Sequence, residues 1–372
     1  MGGWPAVLGR LAAGVDLGAA EAGAALAEVL GGNASPAQIA AFVFGLRCKG
    51  ETVEEMVGLV EAMLRASERV VVRPSLAPNL VDTCGTGGDR SGTINVSTIA
   101  ALVVAGAGVP VCKHGGRAAS SKAGSADVLE ALGVVIDLGP DQVARCIEEA
   151  GIGFCFAPRY HPAMRHAVPV RRDLGVPTAF NFLGPLANPA LVRRQVVGVG
   201  DPSMGEKMAR VLAAGGATHV LVVHGAGGLD ELSTTGPSTM YEWRAGQGAE
   251  RPGAPDRIDP VTIDARALGL ASARVDQLAG GDAATNAELA KRVLAGEPGP
   301  HRDIVALNAA AGLVVAGVSD GLEDGLAKAH ACLDDGRAKA ALERLVEVSR
   351  SASGAARYSD PRSQMFSRSR RL

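Results

Sequence analysis

From residue 4 to about 72, apolar positions recur at helical spacing with no strand-like alternation. In ETVEEMVGLVEAMLRASERV, residues Met56, Leu59, Val60 and Met63 fall on one helical face, and Thr52 stands three residues before Glu55 as in a capping box. Gly31-Gly32 stops one helix, and Ser35-Pro36 starts the next with serine as cap and proline in the first turn. These signals predict a small all-helical unit. From Pro78 the texture changes to short β-rich runs alternating with helical ones: NLVDTC, STIAALVVAGAG, VPVCKH, SADVLEALG, VVIDL, DQVARCIEEAG and IGFCFAP. That alternation predicts an α/β fold with a mostly parallel central sheet.

The segment from His161 to Pro189 breaks the alternation with a helix and a Pro/Gly-rich stretch, after which RQVVGVG, a helix through Met208 and THVLVVHG resume it. The expected organisation is a helical domain over 1–76 that receives 161–190 from mid-chain, and a discontinuous α/β domain over 77–160 and 191–349. The Ser/Arg-rich stretch 350–372 reads as a disordered tail.

Composition narrows the function. With 47% hydrophobic and 20% charged residues the 372-residue chain can bury a large core, and 3% aromatic content with 49 glycines predicts thin, closely packed elements. Thirty-seven basic against 39 acidic residues, a net charge of -2, give no field to recruit a polyanion, which disfavours nucleic acid as a partner. The six cysteines show no C-x-x-C spacing and read as reduced thiols of a cytoplasmic protein. No targeting signal is legible. The longest uncharged stretch, Ser91 to Cys112, contains Asn95, Ser97, Thr98 and Pro110 and reads as soluble elements, so no membrane association is expected.

Three segments carry chemistry. In VDTCGTGGDRSGTINVST an apolar strand ends in a Gly-rich turn and runs into a helix start, the junction that offers free N–H groups to a phosphate. Gly85, Gly87 and Gly88 permit close approach, while Thr86, Thr93, Asn95, Ser97 and Thr98 supply hydrogen-bonding groups. In KHGGRAASSKAGSADVLEALG, Lys113, Arg117 and Lys122 with Ser120, Ser121 and Ser125 form a second anion-binding edge one helix downstream. In HGAGGLDELSTTG, the adjacent Asp230 and Glu231 follow a strand and lack a His or Cys partner, which suits Mg²⁺ shared with substrate phosphates.

GTGGD, NVST, KHGGRAASSKAGSADVLEALG, HPAMRHAVPVRRDLGVPTAFNFLGPLANP and GLDELSTT, in this order, resemble the signature blocks of the anthranilate phosphoribosyltransferases of tryptophan biosynthesis. The likeness runs from about Gly45 to Asn308, and the fold is more distantly similar to that of pyrimidine nucleoside phosphorylases. The resemblance implies transfer of the phosphoribosyl group of 5-phosphoribosyl-1-pyrophosphate to a small aromatic acid, with two Mg²⁺ ions and a homodimer formed through the helical domain. It implies donor binding by Gly85, Thr86, Gly87, Gly88, Asp89, Thr93, Asn95, Val96, Ser97, Thr98, Lys113, Arg117, Ser120, Ser121 and Ser125. It places Gly85, His114, Gly116 and Arg171 at the acceptor, Arg171 holding its carboxylate, and Ser97, Asp230 and Glu231 at the metal. No catalytic nucleophile is expected. Gly116 stands where the family ordinarily has asparagine, which raises the alternative of a specialised-metabolism enzyme acting on another aromatic acid or amine.

Overall fold

The computed structural model describes residues 2–89, 91–118, 122–246 and 257–354. Four helices open the chain: α1 (Gly3–Ala12), α2 (Ala19–Leu30), α3 (Pro36–Lys49) and α4 (Val53–Arg65). Their ends follow the predicted signals. The Gln38 N–H donates to Ser35 Oγ at 3.3 Å, and the Glu55 N–H to Thr52 Oγ1 at 3.1 Å, while Glu55 Oε2 accepts from the Thr52 N–H at 2.8 Å. The last helix stops at Arg65, so helical structure does not reach residue 72. Val70 and Val72 instead bury alternate side chains of an extended run. Thin side chains allow close packing, because a Cβ on Gly58 would overlap the Ala19 backbone where α2 crosses α4.

The α/β part contains β1 (Val81–Gly85), α5 (Val96–Gly106), β2 (Val111–Gly115), α6 (Ser125–Ala131), α7 (Pro140–Ala150) and β3 (Ile152–Phe156). Next come α8 (Ala157–Tyr160), α9 (Val168–Leu174), α10 (Phe180–Leu186), β4 (Arg194–Gly198), α11 (Gly205–Ala214) and β5 (His219–His224). The chain then adds β6 (Ser238–Arg244), β7 (Pro260–Ile263), α12 (Ala283–Leu294), α13 (Pro300–Ala316), α14 (Leu322–Asp334) and α15 (Arg337–Ala352). The sheet order is β3-β2-β1-β4-β5-β6-β7, with β1 to β5 parallel and the last two strands antiparallel.

Alternation along the strands divides the core. Val196, Leu221 and Val223 pack with α5 and α13 on one face, whereas Val197, Val220 and Val222 join the helical unit on the other. Ala167, Val170, Phe180, Phe182, Leu183 and Leu186 from the mid-chain helices share this second cluster with α1 to α4.

Two expectations are corrected. VVIDL forms no strand: its backbone is satisfied locally and by other elements, with the Val135 N–H donating to Ser349 Oγ at 3.1 Å and Leu138 O accepting from Tyr160 OH at 3.1 Å. The helix α15 continues to Ala352, so the start of the expected disordered tail is helical, and the tail from 355 onward lies outside the described residues.

Candidate functional site

The chain leaves β1 towards β2 and β3 on one side and returns as β4 on the other, creating a switch point between β1 and β4. A crevice outside the carboxyl ends of such strands is where open α/β sheets bind ligands. Here it is a cleft of about 300 Å³ built from the loops after β1, β2 and β5. The β1–β4 register pairs Gly85 with Gly198, and a Cβ on either would overlap Asp230. Glycine at these two strand ends is what lets the β5 loop insert its acidic pair between them.

The inserted pair holds the other loops by their backbones. Asp230 Oδ2 accepts from the Gly87 N–H at 2.7 Å, and Glu231 Oε1 accepts from the Ser97 N–H in the first turn of α5 at 2.9 Å. The Thr86 N–H donates to Gly198 O at 2.9 Å, tying the Gly-rich turn to β4. On its far side this loop is clamped by the segment before α12 and by the first turn of that helix. The Ile94 N–H donates to Leu278 O at 3.1 Å, the Gly280 N–H to Gly92 O at 2.8 Å, and the buried Asn286 donates to Asn95 Oδ1 at 2.9 Å.

Burial, and then the charge of Asp230, raises the Glu231 carboxyl to about 8; burial, and then Asp89, raises Asp230 to about 6. Two desolvated carboxyls that resist ionising together, with only oxygen donors, fit a hard divalent cation whose charge would favour both ionised forms. No cluster of three or more His, Cys, Asp or Glu suited to a metal occurs among the described residues, so the acidic pair supplies only part of such an ion's coordination shell. Lys113 is buried, and its ammonium donates to Thr83 O beneath the cleft.

The cleft wall brings together Gly85, Thr86, Gly87, Gly88, Asp89, Thr93, Asn95, Val96, Ser97, Lys113, His114, Gly116, Arg117, Ser125, Asp230 and Glu231. Thr98 lies behind the wall, donating to Ser125 Oγ at 3.1 Å. Arg117 lines the cleft but is paired with Asp127 at 2.7 Å and Glu130 at 2.9 Å. Ser120 and Ser121 lie outside the described residues. Sequence reading missed Ser91 and Asn181 as wall residues; Asn181 stands within the FNFLGP run already singled out.

Arg171 does not line the cleft. Its guanidinium sits 5.4 Å from the centre of the Phe180 ring, next to the wall residue Asn181, with no acidic partner among the described residues. Desolvation pulls its pKa below the ordinary value. The buried His114 ring has Nδ1 3.1 Å from Gly184 O, so this nitrogen carries the proton and Nε2 keeps a lone pair without a partner. Burial, then the neighbouring His161 ring 5.0 Å away, lowers His114 to about 3. Gly116 faces open space, since a Cβ there would meet only Ala157 Cβ at 3.9 Å.

The a/b domain of the glycosyl transferase family matches residues 77–339, and that family's helical bundle domain matches 5–67. An anthranilate phosphoribosyltransferase of Salinispora arenicola strain CNS-205 is 51% identical over 350 residues, 93% of this chain and 96% of the relative. The crystal structure of anthranilate phosphoribosyltransferase from Thermus thermophilus superposes with a TM-score of 0.84 at 42% identity, covering 92% of this chain and 99% of that one. The Saccharomyces cerevisiae enzyme, solved in complex with phosphoribosyl pyrophosphate and Mg, gives a TM-score of 0.82 at 26% identity, covering 94% and 98%. The chain belongs to the anthranilate phosphoribosyltransferase family.

Proposed function

We propose that this protein transfers the phosphoribosyl group of 5-phosphoribosyl-1-pyrophosphate to the amine of anthranilate, releasing pyrophosphate. The observation that carries the reading is the insertion of Asp230 and Glu231 between two Gly-rich strand ends, facing a phosphate-sized turn and the start of α5. The Gly-rich turn 85–88 and the hydroxyls of Thr93, Ser97 and Ser125 receive the phosphates and ribose of the donor. Asp230 and Glu231, with the Ser97 hydroxyl, hold Mg²⁺. When bound, the metal stabilises charge on the departing pyrophosphate. Two ions fit a donor whose leaving group is a pyrophosphate and a site with two acids.

Arg171 is held over Phe180 without a counter-ion among the described residues, so an incoming carboxylate supplies its missing charge. His114 stays neutral and offers Nε2 only as an acceptor, suited to orient an amine N–H. An aromatic amine is already neutral at physiological pH, so orientation beneath the anomeric carbon replaces a strong base. The space at Gly116 accommodates anthranilate as readily as a larger acid, and no feature of the cleft favours the alternative acceptor.

The working unit is a helical domain of 1–76 with 161–190, set against an α/β domain of 77–160 and 191–349. Exposed Phe44 and Val168 on the helical part supply an apolar surface for a homodimer. Six free thiols suit the cytoplasm. The test is pyrophosphate release from phosphoribosyl pyrophosphate, Mg²⁺ and anthranilate: one equivalent per anthranilate consumed, lost on chelation, supports the reading, and phosphorolysis of a nucleoside in its place sinks it.

A further inference from the structure

At the opposite edge of the sheet, where β4 begins, a second cavity of about 450 Å³ opens between the extended run 69–72, the Ala77-Pro78 turn and residues 190–194. This edge is a strand length, about 13 Å, from the Gly198 end that meets Asp230. Three arginines, Arg69, Arg193 and Arg194, line the cavity, and among the described residues no aspartate or glutamate does. Elsewhere, exposed arginines such as Arg145, Arg266 and Arg292 sit in ion pairs. Among the described residues Arg69 and Arg193 have no acidic partner, and desolvation pulls Arg69 below its ordinary pKa. Arg194 is fixed by donating to Val315 O at 2.7 Å and Pro78 O at 3.2 Å, carbonyls that leave its positive charge uncompensated.

Apart from Thr218 the remainder of the wall is apolar. Val71 is 80% exposed and Leu191 49% exposed, both on this cavity. Leu191 has a φ of 50, the one positive value for a non-glycine among the described residues. Left-handed backbone is unfavourable for a branched side chain, so the surrounding structure must impose it. Asn188 does so. It accepts from the Leu191 N–H through its carbonyl at 3.0 Å and from the Ala190 N–H through Oδ1 at 2.9 Å, while its Nδ2 is anchored to Asp82 and to Cys112 O, each at 2.8 Å.

We propose that this cavity is a second binding site, separate from the substrate cleft, for a small organic anion that carries a carboxylate or phosphate on an apolar body. Guanidinium forks without acids match an oxyanion, and Val71 and Leu191 match the body. The volume lies in the range of small-molecule pockets, about 300–1,000 Å³.

Calorimetric titration of the full chain with phenylacetate and with phenyl phosphate tests this and shows which head group is taken. The expected result is that at least one probe binds, and that its Kd rises about tenfold or more in Arg69→Ala/Arg193→Ala, the loss expected for charged hydrogen bonds. Binding should be retained in Arg171→Ala, and kcat of the double variant should match wild type. Arg69→Lys/Arg193→Lys, which keeps the charge, should lose less. The site is overturned if neither probe binds, if Arg171→Ala abolishes binding while the alanine pair does not, or if the alanine and lysine pairs lose binding equally.

Discussion

The two buried rings on β2 and after α8 make stability depend on pH in a calculable way. Burial lowers His114 to about 3 and His161 to about 4. An exposed histidine of the unfolded chain titrates near 6.5. Because both folded values are depressed, the unfolded chain binds more protons throughout the interval between about 4 and 6.5. Stability from these rings is therefore fully present above 6.5 and is lost as pH falls towards 4. At pH 5 an unfolded ring gains about 2 kcal/mol from protonation that a folded neutral ring does not, so the pair costs about 4 kcal/mol relative to pH 7.5. Replacing His161 by Phe removes one of the two sites. Urea unfolding between pH 7.5 and 5 should then show a proton uptake near two at pH 5 for the wild type beyond other groups, and about one fewer for the variant. An unchanged slope in His161→Phe would refute the assignment of a neutral buried ring.

Other expectations follow from the cleft. Asp230→Asn with Glu231→Gln should abolish turnover at limiting Mg²⁺ while leaving the unfolding midpoint equal or higher, because two desolvated carboxyls that disfavour each other's ionisation are replaced by neutral amides; metal-titrated rates and thermal melts check both. Arg171→Ala should raise the anthranilate KM about 10- to 150-fold, from about 1.5–3 kcal/mol for a charged hydrogen bond, and leave the donor KM nearly unchanged in steady-state kinetics. Gly85→Ala should displace the Asp230 carboxylate and depress Mg²⁺-dependent activity in the same assay. Gly116→Asn should fold normally, having only Ala157 Cβ nearby at 3.9 Å, and a gain in kcat/KM for anthranilate above about tenfold would revive a different natural acceptor.

What the sequence disclosed was governed by range. Thr52 with Glu55 and Ser35 with Gln38 satisfy backbone groups three residues apart, so their helix starts were readable. The glycine turn after β1 was equally local. The clamp of Gly92, Ile94 and Asn95 by residues 278–286 joins segments nearly two hundred positions apart, and no local pattern announces it. Lys113 and Arg117 looked alike as basic loop residues. The sheet buries one against Thr83 O, and α6 neutralises the other with Asp127 and Glu130. VVIDL has strand composition, but its backbone bonds to Ser349 of α15 and to Tyr160 instead of joining the sheet. Antiparallel β6 and β7 carry no single-faced pattern: β6 packs Met240 on one face and Tyr241 and Trp243 on the other, and β7 is mostly exposed.

Phosphoribosyl transfer itself is tested by the mass spectrum of the product formed from anthranilate, phosphoribosyl pyrophosphate and Mg²⁺ by the wild type and by Asp230→Asn/Glu231→Gln. The expected result is the N-phosphoribosyl adduct of anthranilate with the wild type and only a trace with the double variant. No adduct with the wild type, or equal amounts from both proteins, would contradict it.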